Sequence, residues 1–474
     1  MEVKQLYTEC LAQAAYYIES NGEAAIVDPL REVQGYIDMA QEGGAKIKYV
    51  FETHFHADFV SGHITLSEKT GATIVFGATA QPNFEAVVAT DGQEFKLGNV
   101  TIKALHTPGH TMESTTYLLI DEKGKEHAIL SGDTLFLGDV GRPDLAQKAA
   151  NMTQEELAGT LYDSLRTKIM TLPDEVIVYP GHGAGSACGK NMSKETIGSI
   201  GHEQANNYAL RADMTKEEFV KEVTHGLVAP PAYFPLNVQM NKMGYESIDE
   251  VIKRGETAMS PDESEAAVNP GAGHHGAVML DTRNRYEFRK EHIPRSIFIG
   301  IEGAFAPWVG ALIKDVKQPI LLIVDEDRLQ EVITRLARVG FDNVLGHLKG
   351  GVEAWKSAGK EVDSVEHVTA DDLAELEKKG NVKTVDVRKK SEFDSEHLVD
   401  SENAPLDFLS EYLHKFDEHE SNYVYCAGGY RSVIAISILK ARGIHNVIDV
   451  GCGFEGIKDT DLERSKYVCP TTLP

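Results

Sequence analysis

The side chains best suited to chemistry lie in one short segment, which contains His54, His56 and Asp58. A His-x-His-x-Asp-His motif on a loop can serve two metal ions, because two imidazoles bind one ion while the aspartate and the last histidine bind the other. Phe59 stands where that last histidine would be and cannot coordinate a metal. The segment therefore favours one metal with open positions, which suits non-haem iron and dioxygen better than two-metal hydrolysis.

Three further metal-ligating side chains follow downstream in Gly-containing loops. His110 ends a Thr-Pro-Gly-His run, Asp133 follows Gly132, and His182 ends a Pro-Gly-His run. Any one of them alone would be read as a hydrogen-bonded loop side chain. Imidazole and carboxylate donors suit iron, zinc or manganese, and the lack of thiolates in the set argues against a structural zinc site. The ordered set predicts a metal centre.

A second reactive segment begins at Cys426, where a strand-like run ends in a Cys-x-x-x-x-Arg loop closed by Arg431. Two glycines let consecutive amides turn inward, and the start of the following helix adds partial positive charge. Such a loop stabilises a thiolate or a bound oxyanion, whereas a phosphatase loop would be one residue longer. The other loop residues are Ala427, Gly428, Gly429, Tyr430 and Ser432.

Composition narrows the classes of protein to consider. The 474 residues suggest about three domains. A net charge of −26 argues against nucleic acid or an anionic membrane as a partner. The chain shows neither a signal-peptide pattern nor an apolar run long enough for a membrane span, so we expect a cytoplasmic protein. Its five scattered cysteines indicate free thiols rather than a disulfide framework.

The metal-ligating residues follow short β-branched runs, which predicts that they lie on loops after strands. Helix-like periodicity between these runs indicates a layered α/β arrangement. Residues 186–250 look less regular and are expected to be a covering segment or a tail that crosses to the next domain. Residues 260–276 are predicted to be a boundary or an exposed loop. The predicted strands are 24–28, 49–54, 73–76, 100–106, 128–133 and 176–182, and the predicted helices are 31–42, 63–70 and 154–170.

The rest of the chain contains an internal repeat. Asp281 returns as Asp386 and His292 as His397, at the same offset of 105 residues (386 − 281 and 397 − 292). The first copy contains no cysteine, and Asp325 follows its equivalent strand, so only the second copy can use cysteine chemistry. We expect three domains, covering residues 1–250, 260–360 and 366–474.

These motifs carry a resemblance to known families. Residues 1 to about 245 resemble the metallo-β-lactamase superfamily, and within it the persulfide dioxygenases. The Cys426 loop resembles that of the rhodanese sulfurtransferases, so the chain is similar to dioxygenase–rhodanese fusions over nearly its whole length. The resemblance implies an α/β protein, with an αββα metallo-β-lactamase fold followed by two rhodanese-like α/β domains with parallel sheets. The first of these two is a pseudo-rhodanese that lacks the cysteine.

The resemblance also implies roles for the metal-site residues. Within that branch, one Fe(II) per chain would be held by His54, His110 and Asp133, a two-histidine, one-carboxylate triad. His56, Asp58 and His182 would orient ligands and solvent. Related dioxygenases commonly keep a histidine at the Phe59 position, so the chain departs from the family there.

Other residues receive roles with stated alternatives. Arg142 lies in a segment that resembles the one bringing an arginine toward the substrate sulfur, although a pair with Asp144 that fixes the loop is nearly as good an interpretation. Cys188 follows the last histidine and is a possible pocket thiol, with an inert buried thiol as the default. In the rhodanese-like copy, Cys426 would carry sulfane sulfur and Arg431 would hold the anion.

The implied function is sulfide detoxification. A low-molecular-weight thiol persulfide would be oxidised by O2 to sulfite, and Cys426 would transfer sulfane sulfur to sulfite, giving thiosulfate. We expect a homo-oligomer. Two alternatives stay open: a zinc thioester or lactone hydrolase with an appended rhodanese, and a non-catalytic sulfur carrier or sensor.

Overall fold

The computed structural model describes residues 1–269, 276–380, 382–416 and 419–469. The chain forms two compact units. The first comprises Met1–Glu250 with Thr334–Phe341, and the second comprises Val251–Ile333 with Asp342–Pro474. Among the described residues, no helix combines the length and the apolar character needed to cross a membrane.

The first unit alternates short strands with helices. Its strands are β1 (Glu2–Thr8), β2 (Gln13–Ser20), β3 (Glu23–Val27), β4 (Lys46–Phe51), β5 (Thr73–Phe76), β6 (Val87–Val88), β7 (Glu94–Leu97), β8 (Val100–His106), β9 (Thr115–Ile120), β10 (Glu126–Gly132), β11 (Ile177–Pro180) and β12 (Gly198–Ser199). Its helices are α1 (Gln34–Glu42), α2 (His63–Thr70), α3 (Gln147–Ala150), α4 (Gln154–Ser164), α5 (Ile200–Asn206), α6 (Lys216–Thr224), α7 (Phe234–Met243) and α8 (Ile248–Gly255), which runs into the second unit.

These strands form two six-stranded sheets packed face to face. The first has the order β1-β2-β3-β4-β5-β6 and the second β12-β11-β10-β9-β8-β7. One apolar cluster fills the space between the sheets, a second lies under α1 and α2, and a third lies under α4 and α6. This is the predicted αββα arrangement, which is confirmed.

Alternation along β2 explains how one strand serves two layers. Tyr16 and Ile18 point into the cluster between the sheets, whereas Ala15 and Tyr17 point toward α1 and α2. Successive side chains of a strand lie on opposite faces, so a strand that is apolar throughout can be buried on both sides. The run 13–20 is therefore a central strand, although it shows no polar and apolar alternation.

The second unit contains two similar α/β repeats. Its strands are β13 (Ala258–Met259), β14 (Val278–Asp281), β15 (Ile297–Phe298), β16 (Ile320–Ile323), β17 (Val344–Leu348), β18 (His367–Val368), β19 (Thr384–Asp386), β20 (Glu402–Asn403), β21 (Asn422–Tyr425) and β22 (Val447–Val450). Its helices are α9 (Pro261–Val268), α10 (Arg285–Lys290), α11 (Phe305–Leu312), α12 (Leu329–Arg338, which ends among first-unit residues), α13 (Gly351–Ser357), α14 (Ala370–Glu377), α15 (Lys390–Ser395), α16 (Arg431–Ala441) and α17 (Gly453–Ile457).

The two repeats share one topology. Their parallel sheets have the orders β13-β17-β16-β14-β15 and β18-β22-β21-β19-β20, so each strand of one has a counterpart in the other. The internal repeat and the parallel sheets predicted from sequence are thus confirmed. Alignment of β16 with β21 places Val324 opposite Cys426 and Leu329 opposite Arg431, both at an offset of 102 (426 − 324 and 431 − 329).

Two segments expected to be irregular contain helices. Residues 186–250 contain α5, α6, α7 and the first three residues of α8, and residues 260–276 contain α9, so the second segment is not a loop throughout. Both α6 and α9 begin with capping boxes, Thr215 with Glu218 and Ser260 with Glu263, in which each side chain satisfies the other residue's backbone amide. Residues 270–275 of the second range lie outside the described residues.

Candidate metal centre and sulfur-carrier loop

The metal-ligating side chains meet because the strands before them end at the same edge. In the second sheet, β8, β10 and β11 run in one direction, and they are followed by His110, Asp133 and His182. His54 follows β4 of the first sheet. All four side chains are at least 98% buried. The predicted convergence of loops after strands is what the structure shows.

His54, His110 and Asp133 offer three donor atoms within 4.8 Å of one another. Asp133 Oδ2 lies 3.8 Å from His54 Nε2 and 3.5 Å from His110 Nε2. Metal bonds of about 2.1 Å place neighbouring donors about 3 Å apart and opposite donors about 4.2 Å apart. Asp133 Oδ2 is also buried without a hydrogen-bond partner in the described part of the chain. These observations fit one divalent ion at this position.

The orientation of the His54 ring is fixed through Thr53. Asp28 Oδ2 accepts a hydrogen bond of 2.9 Å from the Thr53 hydroxyl, whose oxygen lies 3.0 Å from His54 Nδ1. Because the hydroxyl proton points to Asp28, the hydroxyl oxygen is free to accept the Nδ1 proton of His54. That tautomer leaves the Nε2 lone pair for a metal. Asp28 and Thr53 were not identified as site residues from sequence.

The orientation of His110 is fixed by backbone. Its Nδ1 donates to the carbonyl oxygen of Arg142 at 2.9 Å, so Nε2 carries the lone pair that faces Asp133. Gly109 precedes it with φ +141°, and a Cβ there would lie 2.4 Å from the Cα of Leu161. The Thr-Pro-Gly-His run therefore needs glycine at this position both for conformation and for close approach to α4.

His182 lies between two carboxylates. Its Nδ1 is 2.8 Å from Asp133 Oδ1 and its Nε2 is 2.7 Å from Asp58 Oδ2. Burial opposes protonation, but Asp133 and Asp58 together raise the pKa of His182 to about 10. Burial likewise opposes ionisation of Asp133, yet the charges of His182 and His54 hold its pKa below the usual range. His182 thus holds Asp133 as a carboxylate with Oδ2 free.

His56 faces away from this triad. Its Nε2 lies 3.0 Å from Asp28 Oδ1 and 3.3 Å from Glu52 Oε2, and these three side chains form a second buried donor set. Burial opposes protonation of His56, but Asp28 and Glu52 raise its pKa well above the usual range. The wholly buried ring of Phe59 packs on His56 at 4.3 Å between centroids.

The loop that carries these residues is held by α7. The side-chain amide of Asn241 donates to the carbonyl oxygens of His56 and Phe59, both at 2.8 Å, and its oxygen accepts from the amide of Ser61 at 2.9 Å. Asn241 is buried and lies at least 180 residues from its partners in sequence. No local pattern in the sequence could have indicated this contact.

A third donor set contains Asp58, His182 and Cys188, whose ligand atoms also lie within 4.8 Å of one another. Cys188 is buried next to the centre, which fits the inert buried thiol taken as the default from the sequence. Burial, with further contributions from Asp58 and Asp133, raises the pKa of the Cys188 thiol well above its usual range. A protein without metal here keeps Cys188 as a neutral thiol, while a thiophilic ion would find a sulfur, a nitrogen and an oxygen donor.

The Arg142 guanidinium makes four hydrogen bonds. It binds Asp144 through two hydrogen bonds of 2.7 Å and reaches the carbonyl oxygens of Ala187 and Val228. This is the loop-fixing arrangement considered from the sequence. The contact of Arg142 with the centre is made by its carbonyl oxygen, which orients His110.

The sulfur-carrier loop follows β21 and leads into α16. Cys426 is buried, and its sulfur accepts the amide of Gly429 at 3.1 Å. Gly429 has φ +86°, and a Cβ there would meet the carbonyl oxygen of Gly451 at 2.3 Å. The Cys426 thiol also contacts the Ser432 hydroxyl at 3.7 Å, and that hydroxyl donates to Asp449 at 2.7 Å. The loop therefore turns a backbone amide toward the sulfur, while the Ser432 oxygen accepts from the thiol.

Arg431 opens α16 beside the carrier loop. Its guanidinium makes two hydrogen bonds to Glu392 of α15, at 2.7 and 2.9 Å. Burial opposes its charge, but the Glu392 carboxylate raises the pKa of Arg431. An anion at the loop would share the guanidinium with Glu392. The same loop contains Ala427, Gly428 and Tyr430. The hydroxyl of Tyr430 donates a hydrogen bond of 2.7 Å to the carbonyl oxygen of Gly300.

Comparison with family models defines the class of protein. Residues 8–182 match the metallo-beta-lactamase superfamily, and residues 261–358 and 369–460 each match the rhodanese-like domain. The chain therefore belongs to the metallo-beta-lactamase superfamily and continues into two rhodanese-like domains. The predicted resemblance to persulfide dioxygenase–rhodanese fusions is confirmed.

Individual relatives fall into two groups. The chain is 32% identical to the cytoplasmic hydroxyacylglutathione hydrolase of Arabidopsis thaliana over 38% of its length and 67% of that protein. It spans 57% to 60% of several related hydrolases. It is 30% identical to the mitochondrial persulfide dioxygenase ETHE1 of Bos taurus over 42% of its length and 70% of that protein. A solved metallo-beta-lactamase from Staphylococcus aureus subsp. aureus COL is 30% identical, with TM-score 0.62, over 73% of this chain and 98% of that one.

Proposed function

We propose that the chain oxidises a low-molecular-weight thiol persulfide with O2 to sulfite and thiol, and that Cys426 then makes thiosulfate from sulfite and a second persulfide. The first reaction balances as RSSH + O2 + H2O → RSH + SO3²⁻ + 2H⁺. One Fe(II) per chain would be held by His54, His110 and Asp133. We further propose the domain division 1–250, 260–360 and 366–474.

One observation carries the proposal: a buried two-histidine, one-carboxylate set occurs in the same chain as a rhodanese-like cysteine loop. A facial set of this kind leaves coordination positions open and is typical of non-haem iron oxygenases. Phe59 fills with an apolar ring the position where a two-metal enzyme needs a histidine. The sulfur-carrier loop then indicates a sulfur compound as the substrate.

The residues around the iron position would each do one task. The metal, when bound, supplies redox chemistry for O2 and positive charge for the persulfide sulfur. His182 keeps Asp133 ionised, and Thr53 and the Arg142 carbonyl keep His54 and His110 in the tautomers that expose Nε2. Because the Arg142 guanidinium is hydrogen-bonded to Asp144, Arg142 would affect the substrate only indirectly, by fixing the conformation of its loop.

The second step would use the carrier loop. The Cys426 thiol would take sulfane sulfur from RSSH, releasing RSH and leaving a cysteine persulfide. Sulfite would then attack the outer sulfur, so that the S–S bond breaks, thiosulfate leaves and the Cys426 thiolate is restored. The Gly429 amide would stabilise the negative sulfur, and Arg431 would attract sulfite while it remains paired with Glu392.

The test is oxygen uptake by iron-loaded protein with a panel of persulfides of glutathione, coenzyme A and cysteine. Wild type should consume O2 with at least one of them, and His110→Ala should lose that uptake while it retains sulfur transfer by Cys426. Uptake unchanged in His110→Ala would overturn the ligand assignment. Transfer retained without oxygen uptake in wild type would leave the non-catalytic sulfur carrier as the better interpretation.

A zinc thioester or lactone hydrolase is the second candidate. The donor set of Asp58, His182 and Cys188 favours it, because a second ion could bind there despite Phe59. Similarity to hydroxyacylglutathione hydrolases also favours it. About two zinc ions per purified chain, with thioester hydrolysis and no oxygen uptake on persulfides, would establish this candidate instead.

A further inference from the structure

The second unit contains a cavity of about 450 Å³ where its two repeats meet. The cysteine-free repeat contributes Arg285, Tyr286 and Arg289, all from α10. The cysteine-containing repeat contributes residues beside the carrier loop, among them Gly428 and Cys452. Small-molecule sites commonly have volumes of about 300 to 1,000 Å³. The cavity has the size of a ligand site and lies at the edge of the Cys426 loop.

Two guanidinium groups line the cavity in a protein of net charge −26. The guanidinium carbons of Arg285 and Arg289 each lie 4.9 Å from the centroid of the Tyr286 ring. Arg289 is nine-tenths buried, and its Nε has no hydrogen-bond partner among the described residues. Glu455 also lines the cavity, and Asp449 pairs with Arg289 beside it. A hydrogen bond from Arg285 also lowers the pKa of Tyr286.

The same two arginines reach the carrier loop. Arg285 Nη1 donates to the carbonyl oxygen of Gly428 at 2.6 Å. Arg289 Nη1 donates to Asp449 at 2.8 Å, and Asp449 accepts the hydroxyl of Ser432, which contacts the Cys426 thiol. The counterparts of Arg285 and Arg289 in the second repeat, at the offset of 105, are Lys390 and Asp394. The pair of guanidinium groups is therefore particular to the cysteine-free copy.

We propose that this cavity is an anion-binding site for a small oxyanion of the sulfite and thiosulfate class, supplied by the cysteine-free repeat to its neighbour. Guanidinium groups bind such oxyanions through paired, charge-assisted hydrogen bonds. The guanidinium groups of Arg285 and Arg289, both on the cavity lining, provide donors for one. The repeat that lost its cysteine thus contributes binding instead of chemistry.

Inorganic phosphate shares this charge and shape, so the anion could come from phosphate as well as from sulfur metabolism. The choice of sulfur oxyanions as first probes rests on the proposed function, whereas the site itself does not. The test of the anion site measures binding and needs no enzymatic turnover. A failed test of the anion site can therefore be distinguished from a failure of the oxygenase proposal.

Cys452 provides a local reporter, because it lines the cavity and is partly exposed. The rate of Cys452 alkylation by neutral iodoacetamide would be followed by peptide mass spectrometry in full-length Cys426→Ser, with Cys469 as the internal reference. Sulfite, thiosulfate and phosphate would be added in turn. Sulfite and thiosulfate also consume iodoacetamide, so protection is read as a fall in the ratio of Cys452 to Cys469 alkylation. Such a fall with any of the three anions supports the site, and the anion that half-protects at the lowest concentration is the preferred ligand. No protection by any of the three would overturn it.

A second measurement tests the arginines. Cys452 would be alkylated in parallel with anionic iodoacetate and with neutral iodoacetamide. The ratio of the two rates reports the local charge, because the accessibility of the thiol affects both rates alike. Arg285→Gln should lower this ratio by about threefold or more, and weaken anion protection. Lys290→Gln, which removes an exposed charge from the same helix, should leave both unchanged. Equal ratios in the two variants would contradict the assignment, and the wild-type protection experiment stands even if Arg285→Gln folds poorly.

Discussion

Replacement of Thr53 by valine tests how the protein prepares His54 for a metal. The hydroxyl of Thr53 donates to Asp28 at 2.9 Å, and its oxygen lies 3.0 Å from His54 Nδ1. Valine keeps the shape of the side chain but removes both contacts. The His54 ring would then lose the partner that fixes its tautomer, and the Nδ1 proton would be buried without an acceptor.

The size of the effect follows from these contacts. Loss of a residue that orients a metal-bound histidine typically weakens metal binding by about 10- to 100-fold. That range corresponds to about 1.4 to 2.7 kcal/mol. The Thr53 amide would still donate to Asp28 Oδ1 at 2.8 Å, so the loop should keep its path. We therefore expect weaker metal binding with the loop path retained, and a cost to the metal-free protein of about 1 to 3 kcal/mol from the unpaired Nδ1 group.

Competition with a chelator would measure the Fe(II) affinity of wild type and Thr53→Val. Thr65→Val is the matched control, because Thr65 is equally buried and its hydroxyl has no hydrogen-bond partner among the described residues. Thr65→Val should bind iron as wild type does. Wild-type affinity in Thr53→Val would refute the reasoning, as would an equal loss in both variants.

Three further predictions concern stability and the second step. Gly109→Ala should cost about 3 kcal/mol or more and lower both melting temperature and iron content, because φ is +141° and the new Cβ would meet Leu161 backbone. Burial lowers the pKa of His63 to about 3, so its contribution to stability is present above pH 6.5 and is lost as pH falls toward 3. His63→Gln should therefore lose less stability than wild type between pH 6.5 and 4.5, by up to about 3 kcal/mol in calorimetry. Cys426→Ser should make no thiosulfate but keep its oxygen uptake, and thiosulfate at the wild-type rate would contradict the carrier role.

Sequence patterns located the elements that position the site with good accuracy. The predicted strands 73–76 and 100–106 and the helix 63–70 have the bounds observed. Local β-branched content marks the two strands, and helical periodicity marks the helix. The strand β2 was not predicted, because it is buried on both faces and lacks the alternation that marks a strand.

The metal-ligating residues were predictable because their types and order are local. His54, His110 and Asp133 each follow a strand, and the structure brings their donor atoms together. Their roles in binding iron stay a prediction. The residues that orient them were not predictable, since Asn241 and Asp28 act across long stretches of chain and no periodicity records such pairs.

Charged partners were the hardest to predict. Sequence alone left Arg142 equally suited to a substrate and to Asp144, and the structure places its guanidinium on Asp144. Arg431 was read only as an anion clamp, and the structure pairs it with Glu392. An arginine pairs with whichever carboxylate the fold places near it. The choice of carboxylate depends on contacts between helices rather than on the motif that contains the arginine.

The central claim is that one iron, held by two histidines and an aspartate, oxidises persulfide sulfur with O2. The most direct measurement is the ratio of O2 consumed to sulfite formed by iron-loaded Cys426→Ser, in which sulfite is not passed on to thiosulfate. We predict one O2 per sulfite, with one iron bound per chain. Absence of oxygen uptake with every persulfide tested, in protein that holds two zinc ions per chain, would contradict the account.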